Sequence, residues 1–428
     1  MHVLLIALQG PETVRSPDTD NAPEHDAVFA QAARVEGEHI LALACAMRDG
    51  GQYTPLLVCR RHAPVGVAAK ALGLPFLSLG GVATLSGLLR LWLWQRRHER
   101  LVVQTVGVEA MDLGLRIMRQ RPAGTTLLIH AFPIVPPMES ALQGKALRAA
   151  HKILCGSAHV RERIVEAWDC SHAKMGNKDG HLSLTGPKEL ELAPAMDVAS
   201  YSSGLSWTET DAASGRHFIF CMGNALSPHS GANLAVRAMA AIRQREDLPP
   251  WEVRAYGSGP RFGEVLHEAQ TLGVASRLCL LGEQPLPQAL QGAHAWLAPG
   301  SSLEEAPESL WAGVAAGLPV LCSDSPLHLQ RLANAPDAGG IFAADDPQSL
   351  AQAMIRLMLD TQFRNRLVAG GQNIRPYLGY DAFAECVFNM YADWCGQLGW
   401  LATAVNRTVK DESITDKKKI GTARDSGN

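Results

Sequence analysis

Apolar residues fall in short unbroken runs along this chain, and between the runs they recur every three to four positions. The runs Val3–Ala7, Tyr53–Cys59, Leu101–Thr105, Thr125–His130 and Lys152–Cys155 predict one series of buried strands. A second series follows at Phe218–Met222, Glu252–Tyr256, Arg277–Leu281, Ala295–Ala298 and Val320–Cys322. Helical periodicity marks segments such as Ile40–Arg48, Asn233–Arg243, Arg261–Leu272 and Leu350–Leu359. Strands apolar on both faces, separated by helices of roughly ten residues or more, predict parallel, doubly wound α/β sheets. The alternation occurs twice.

Composition divides the two series. From about Asp169 to Gly215 the chain is rich in Ser, Gly, Thr, Asp and Lys, which places a linker between Ser200 and Gly215. The expected organisation is an N-terminal Rossmann-like domain over residues 1–205 and a C-terminal one over 206–400, with the last helix packing back on the first domain. Residues 401–428 lack apolar periodicity and are expected to form a disordered tail.

A chain of 428 residues is too long for one ordinary core, and its 47% hydrophobic and 19% charged residues suffice for two. The formal net charge of -3 supplies no field that would attract nucleic acid, so no nucleic-acid partner is expected. The nine cysteines contain no C-x-x-C pair. Cys45, Cys155, Cys221, Cys279 and Cys322 lie in apolar stretches and read as buried thiols of a reducing compartment. Met1–Leu8 has no basic flank and reads as a first strand, not a signal peptide. No run reaches the roughly 18 apolar residues that span a bilayer. The expected location is cytoplasmic.

Leu85–Arg100 qualifies that location. It sets Leu88, Leu89, Leu91, Trp92 and Leu93 among or just before Arg90, Arg96, Arg97 and Arg100. Such a helix either packs ahead of the strand at Leu101, the reading an α/β unit favours, or lies on an anionic membrane surface. Leu88–Arg100 is therefore a candidate peripheral contact with the inner face of a membrane.

Chemistry is sought in the turns beyond the carboxyl ends of the strands, where ligands of doubly wound sheets bind. There glycines let the backbone approach a ligand, and free helix N–H groups favour anions. Four turns of the second half qualify. They are Gly223-Asn224 through His229-Ser230-Gly231, Gly257-Ser258-Gly259-Pro260, Leu281-Gly282-Glu283, and Pro299-Gly300-Ser301-Ser302 leading through Glu304 and Pro307 into a helix near Glu308. Pro307 suits the first helical turn, and Glu308 complements the helix dipole.

In these turns, in AWLAPGSSLEE at Ala295–Glu305 and above all in AAGLPVLCSD at Ala315–Asp324, the second half resembles the retaining glycosyltransferases of family four. Gly339-Gly340 and Asp345-Asp346-Pro347 continue the likeness. The first half joins it less sharply, through Gly37-Glu38 at an expected helix start and His130 at a strand end. The resemblance implies the GT-B fold, two Rossmann-like doubly wound parallel-sheet domains facing a central cleft. It implies a nucleoside-diphosphate sugar on the C-terminal domain and a glycan, lipid-linked or small acceptor opposite, as in polysaccharide biosynthesis. By the same resemblance His130 and Glu304 are the catalytic candidates, at the acceptor side and the sugar. Gly223, Asn224, His229, Gly231, Gly257, Ser258, Gly259, Ser302 and Glu308 are the donor-binding candidates. No metal or other cofactor is implied, and Asp345-Asp346 fits a helix cap.

The sequence also departs from the family pattern. The second family glutamate, which binds the ribose, falls on Ala312, and Glu308 lies one helical turn earlier on the same side. The arginine and lysine that meet the diphosphate are replaced by Asn224 or Ala225 and by Ser230, and no lysine occurs between Lys188 and Lys410. Two missing charge-assisted bonds weaken a donor site by several kcal/mol, at about 1.5–3 kcal/mol each. His229, Arg254 and Arg261 are the candidate cations for the diphosphate. The first reading is thus a retaining glycosyltransferase, and the alternative is a catalytically degenerate relative that binds or scaffolds. An epimerase would need its own acid and base carboxylates.

Overall fold

The computed structural model of the chain describes residues 1–8, 22–60, 63–79, 84–132, 146–147, 149–156, 160–166, 196–201, 206–223, 230–257, 259, 261–282, 284–300 and 308–400. The tail expected at 401–428 lies outside the described residues, as do Glu304, Asn224, His229, Ser258 and Ser302. For Glu308 only the backbone is described.

Two six-stranded parallel sheets form. The first comprises β1 (His2–Ala7), β2 (Thr54–Arg60), β3 (Phe76–Leu79), β4 (Leu101–Val106), β5 (Thr126–Phe132) and β6 (Lys152–Cys155). Its helices are α1 (Ala22–Gly50), α2 (Pro64–Ala71), α3 (Thr84–Arg96) and α4 (Met111–Arg119). The second comprises β7 (Phe218–Gly223), β8 (Trp251–Tyr256), β9 (Leu278–Gly282), β10 (Ala295–Ala298), β11 (Val320–Ser323) and β12 (Gly340–Phe342). With it come α5 (Glu209–Ala213), α6 (Ala232–Ile242), α7 (Phe262–Thr271), α8 (Leu286–Ala289), α9 (Glu308–Ala315), α10 (Pro326–Leu332), α11 (Pro347–Leu359), α12 (Thr361–Ile374) and α13 (Tyr380–Gln397).

The strand orders are β3-β2-β1-β4-β5-β6 and β12-β11-β10-β7-β8-β9. Numbered within its own half, each sheet follows the order 3-2-1-4-5-6 of a dinucleotide-binding fold. The order reverses between β1 and β4 in one sheet and between β7 and β10 in the other, so each sheet has one switch point.

Each sheet buries both faces, which is why central strands such as β1, β7 and β10 read as near-continuous apolar runs. Leu4, Ile6, Val103 and Leu128 pack with Leu91 of α3 and Ile117 of α4, while Leu5, Val102 and Ile129 pack with Leu43 of α1 and Val65 of α2. Phe383, Val387, Tyr391 and Trp394 of α13 join this second cluster, although they lie at the far end of the chain. The Tyr391 hydroxyl donates to Oε1 of buried Gln104 on β4, and the Trp400 indole donates to the Gly124 carbonyl at 3.0 Å. In the second sheet Phe218, Phe220 and Val253 face α6 and α11, and Trp296, Val320 and Cys322 face α9. Burying one such side chain contributes about 1.5–3 kcal/mol.

Several expectations need correction. The strands β3 and β12 were not foreseen. Both are edge strands, of four and three residues, so their apolar runs are short and partly exposed. Gly37-Glu38 does not begin a helix but lies inside α1, where Gly37 allows close approach to Val65 of α2. Cys279 is exposed because it lies on the edge strand β9, and Cys45 is half-buried. The stretch assigned to a linker ends in α5, and Trp207 just before it packs on Phe218 and His294. As its sequence suggests, Asp346 caps a helix: its carboxylate accepts from the Gln348 N–H at 2.9 Å at the start of α11.

Candidate functional site

The glycine turns of the second sheet meet at its switch point. Chain order separates them by up to about 80 residues, yet all leave the carboxyl ends of neighbouring strands. Gly231 caps α6 in the left-handed region, at φ 73°, and its α-carbon lies against the main chain of Pro299, beyond β10. A methyl group on Gly231 would overlap the Pro299 carbonyl. On the other flank, a methyl on Gly223 would overlap the ring of Tyr256 at the end of β8. Gly257 follows at φ 109°, and its N–H donates to the Gly282 carbonyl at 2.8 Å. The first turn thus touches the fourth and the second, and the second is bonded to the third.

This arrangement leaves the N-terminus of α6 beside the main chain of Pro299 in the fourth turn, which suits an anion that approaches the backbone closely. Ser230 is buried, with its Oγ 3.4 Å from the Ala232 N–H. Gly259 lies just ahead of Arg261, whose Nε donates to Glu264 at 2.7 Å. Arg254 does not reach the turns: it pairs with Glu252 at 2.7 Å along β8.

The structure adds two residues the sequence reading did not select. Ser323, at the end of β11, donates from its hydroxyl to the Gly300 carbonyl at 2.6 Å, and Nδ1 of buried His328 stands 2.9 Å from the same oxygen. If that oxygen donates to Gly300, the bond from His328 must come from an Nδ1–H. The pair anchors the last described residue before the Ser302–Glu304 segment. Its only signal in the sequence is a polar residue closing the apolar run Val320–Cys322.

In the first sheet the switch point holds Glu36, a buried carboxyl on α1 lying over Gly107 at the end of β4. Gly107 has φ 75°, and an added methyl would stand 2.6 Å and 2.9 Å from the two Glu36 oxygens. The sequence reading stopped one residue later, at Gly37-Glu38.

His130 needs a correction. It does not end its strand, since β5 continues to Phe132, and its ring does not face open space. The ring is fully buried, with Nδ1 2.5 Å from the Thr105 hydroxyl and Nε2 3.1 Å from the Ala146 carbonyl. Burial pushes its pKa down to about 4, against a smaller upward effect of the Ala146 bond, so the ring is neutral at pH 7. Ala312, where the resemblance expects the second glutamate, is fully buried in α9 among Leu310, Trp311 and Val314.

A cavity of about 290 Å³ opens at the other, amino end of the second sheet, lined by Trp207, His294, Arg364 and Arg375 among others. Both arginines are committed there, Arg364 to the Leu357 carbonyl at 2.6 Å and Arg375 to the Ala315 carbonyl at 2.8 Å. Among the described residues no cluster of three or more His, Cys, Asp and Glu could hold a metal ion. No described helix is long and apolar enough to cross a membrane.

Two Rossmann-like sheets with their turns gathered at the switch points define a GT-B architecture, and solved structures of low sequence identity share it. A structure of Anabaena HepE in complex with UDP and glucose superimposes with a TM-score of 0.61 at 14% identity, covering 92% of this chain and all of that one. Sucrose-phosphate synthase of Thermosynechococcus elongatus does so at 0.58 and 15%, covering 92% and 99%. Residues 208–374, which hold all four turns, match the family model of glycosyl transferases group 1. An exopolysaccharide phosphotransferase of Streptomyces coelicolor is 29% identical over 136 residues. That match spans 32% of this chain and only 14% of the relative.

Proposed function

We propose that this chain is a retaining glycosyltransferase, which takes a hexose-like unit from a nucleoside-diphosphate sugar and passes it to a glycan, lipid-linked or small acceptor. The observation that carries the reading is the joining of the four glycine turns at the switch point of the domain that matches the transferase model. The diphosphate sits against the backbone of Gly223, Gly231 and Gly257 at the start of α6. Glu304 contacts the sugar and Glu308 the ribose, in place of the glutamate replaced by Ala312. The leaving diphosphate is stabilised by backbone N–H groups and the helix dipole, with no metal.

His130 acts from behind the acceptor surface. Its ring ties β4 to β5 through Thr105 and holds the Ala146 carbonyl, so it is a positioning residue. Glu36, a buried carboxyl at the first sheet's switch point, is assigned to the acceptor side.

Release of nucleoside diphosphate from UDP-, GDP- and ADP-hexoses, with product anomers read by NMR, tests the reading. One donor should be consumed with retention of configuration, and Glu304→Ala should lose at least tenfold in rate. The buried Ala312 and the absence of lysine between Lys188 and Lys410 favour one rival, a degenerate binding protein. Nucleotide binding without donor consumption would select it.

A further inference from the structure

Helix α3 turns its leucines outward. Of its described residues, Gly87, Leu91 and Gln95 are buried against the sheet, at the four-residue spacing of one helical face. Leu89 and Leu93 share the nearly opposite face and are 56% and 44% exposed, while Leu88, 40% exposed, lies beyond Arg96 and Trp92 toward the buried side. A surface helix ordinarily places polar side chains on that opposite face. Arginines flank this crown on both sides: Arg96 stacks over the half-buried Trp92 at 4.1 Å on one, and Arg90 and Arg97 are exposed on the other. No acidic residue occurs in Thr84–Arg96. Arg100 is not part of the patch, because it donates to the Trp400 carbonyl at 2.5 Å.

We propose that α3 is a membrane-docking surface that seats Leu89 and Leu93 among the acyl chains of an anionic phospholipid bilayer while Arg90, Arg96 and Arg97 engage its head groups. Leucines at the crown with arginines at the rim are what an interfacial helix presents to a bilayer, where the arginine stems can reach the phosphates. Charge complementarity selects this occupant. A second copy of the chain meeting the same patch about a two-fold axis would oppose arginines to arginines. The positive patch also stands on a chain whose net charge is -3, so it is a local feature. The inference is independent of whether the chain transfers sugar.

Co-sedimentation of the full chain with phosphatidylcholine vesicles, with and without phosphatidylglycerol, tests it. The chain should bind the anionic vesicles and not the neutral ones, and raising the salt should release it. Leu89→Glu with Leu93→Glu should abolish binding, and Arg96→Gln with Arg97→Gln should weaken it roughly 30-fold. All four positions are exposed or half-exposed, so both variants should melt like the parent and elute as it does. Equal binding to neutral vesicles, undiminished binding by either variant, or a parent dimer that the leucine variant splits would overturn the proposal.

Discussion

Gly231 and Pro299, 68 positions apart in the chain, meet back to front at the switch point of the second sheet. The left-handed backbone of the one leaves room only for hydrogen where the carbonyl of the other passes. Contact and conformation therefore demand the same residue at position 231. Gly231→Ala should incur both penalties, about 1–3 kcal/mol for the backbone alone, and should weaken nucleotide binding at least tenfold. Thermal melts and calorimetric titration of the variant check this. A variant that melts and binds as the parent does would deny that these two turns form one surface.

The contact of Gly223 with Tyr256 is tested by a cycle. Gly223→Ala alone should destabilise the protein by about 1–3 kcal/mol, because the ring of Tyr256 occupies the space of the new methyl. With Tyr256→Ala present, the same change should cost much less, and the two effects should fail to add. Urea unfolding of the four proteins measures the coupling, and additivity would count against the contact.

Burial of neutral histidines should make stability fall in mild acid. The ordinary histidine pKa of 6.5 applies to the unfolded chain, and folding lowers that of His130 to about 4. Between these values the unfolded chain binds the extra proton, so stability rises with pH, complete above 6.5 and lost as pH falls toward 4. The gap corresponds to about 3 kcal/mol. His294, also lowered to about 4 chiefly by burial, acts in the same direction. Urea midpoints measured from about pH 4.5 to 7.5 should climb in the parent and climb less in His130→Gln. Equal slopes would show that His130 titrates as an exposed residue does.

The docking of α13 on the first sheet should depend on one buried hydrogen bond. Tyr391→Phe removes the donor to Gln104 Oε1 and leaves that oxygen buried, at about 1–3 kcal/mol. Chemical denaturation should show the loss, and Tyr391→Phe with Gln104→Leu should recover part of it. No loss in the single variant would place α13 elsewhere.

Both sheets were legible because their central strands are buried on both faces and so appear as short apolar runs. The edge strands β3 and β12 were not, since Phe76–Leu79 is partly exposed along most of its length and Gly340–Phe342 has only three residues. The glycine turns could be found singly, but nothing in the sequence states that Gly231 lies against Pro299 or that Tyr256 covers Gly223. Those contacts follow from strand order, which fixes neighbours by topology. His130 shows the same limit from the other side. Its place on an apolar strand was correct, but the two bonds that turn its ring inward come from Thr105 and Ala146, on other segments. Ser323 and Glu36 escaped notice because one polar residue in an apolar run, or one carboxylate in a helix, is common until its partners are known.

Calorimetric titration of UDP, GDP and ADP into the full chain tests the central claim most directly, with Gly231→Ala measured alongside. One nucleotide should bind in the micromolar range, at about −8 kcal/mol, and the variant should lose at least tenfold in affinity. A folded protein that binds none of the three, or a variant that binds as well as its parent, would contradict a nucleotide-sugar site at the joined glycine turns.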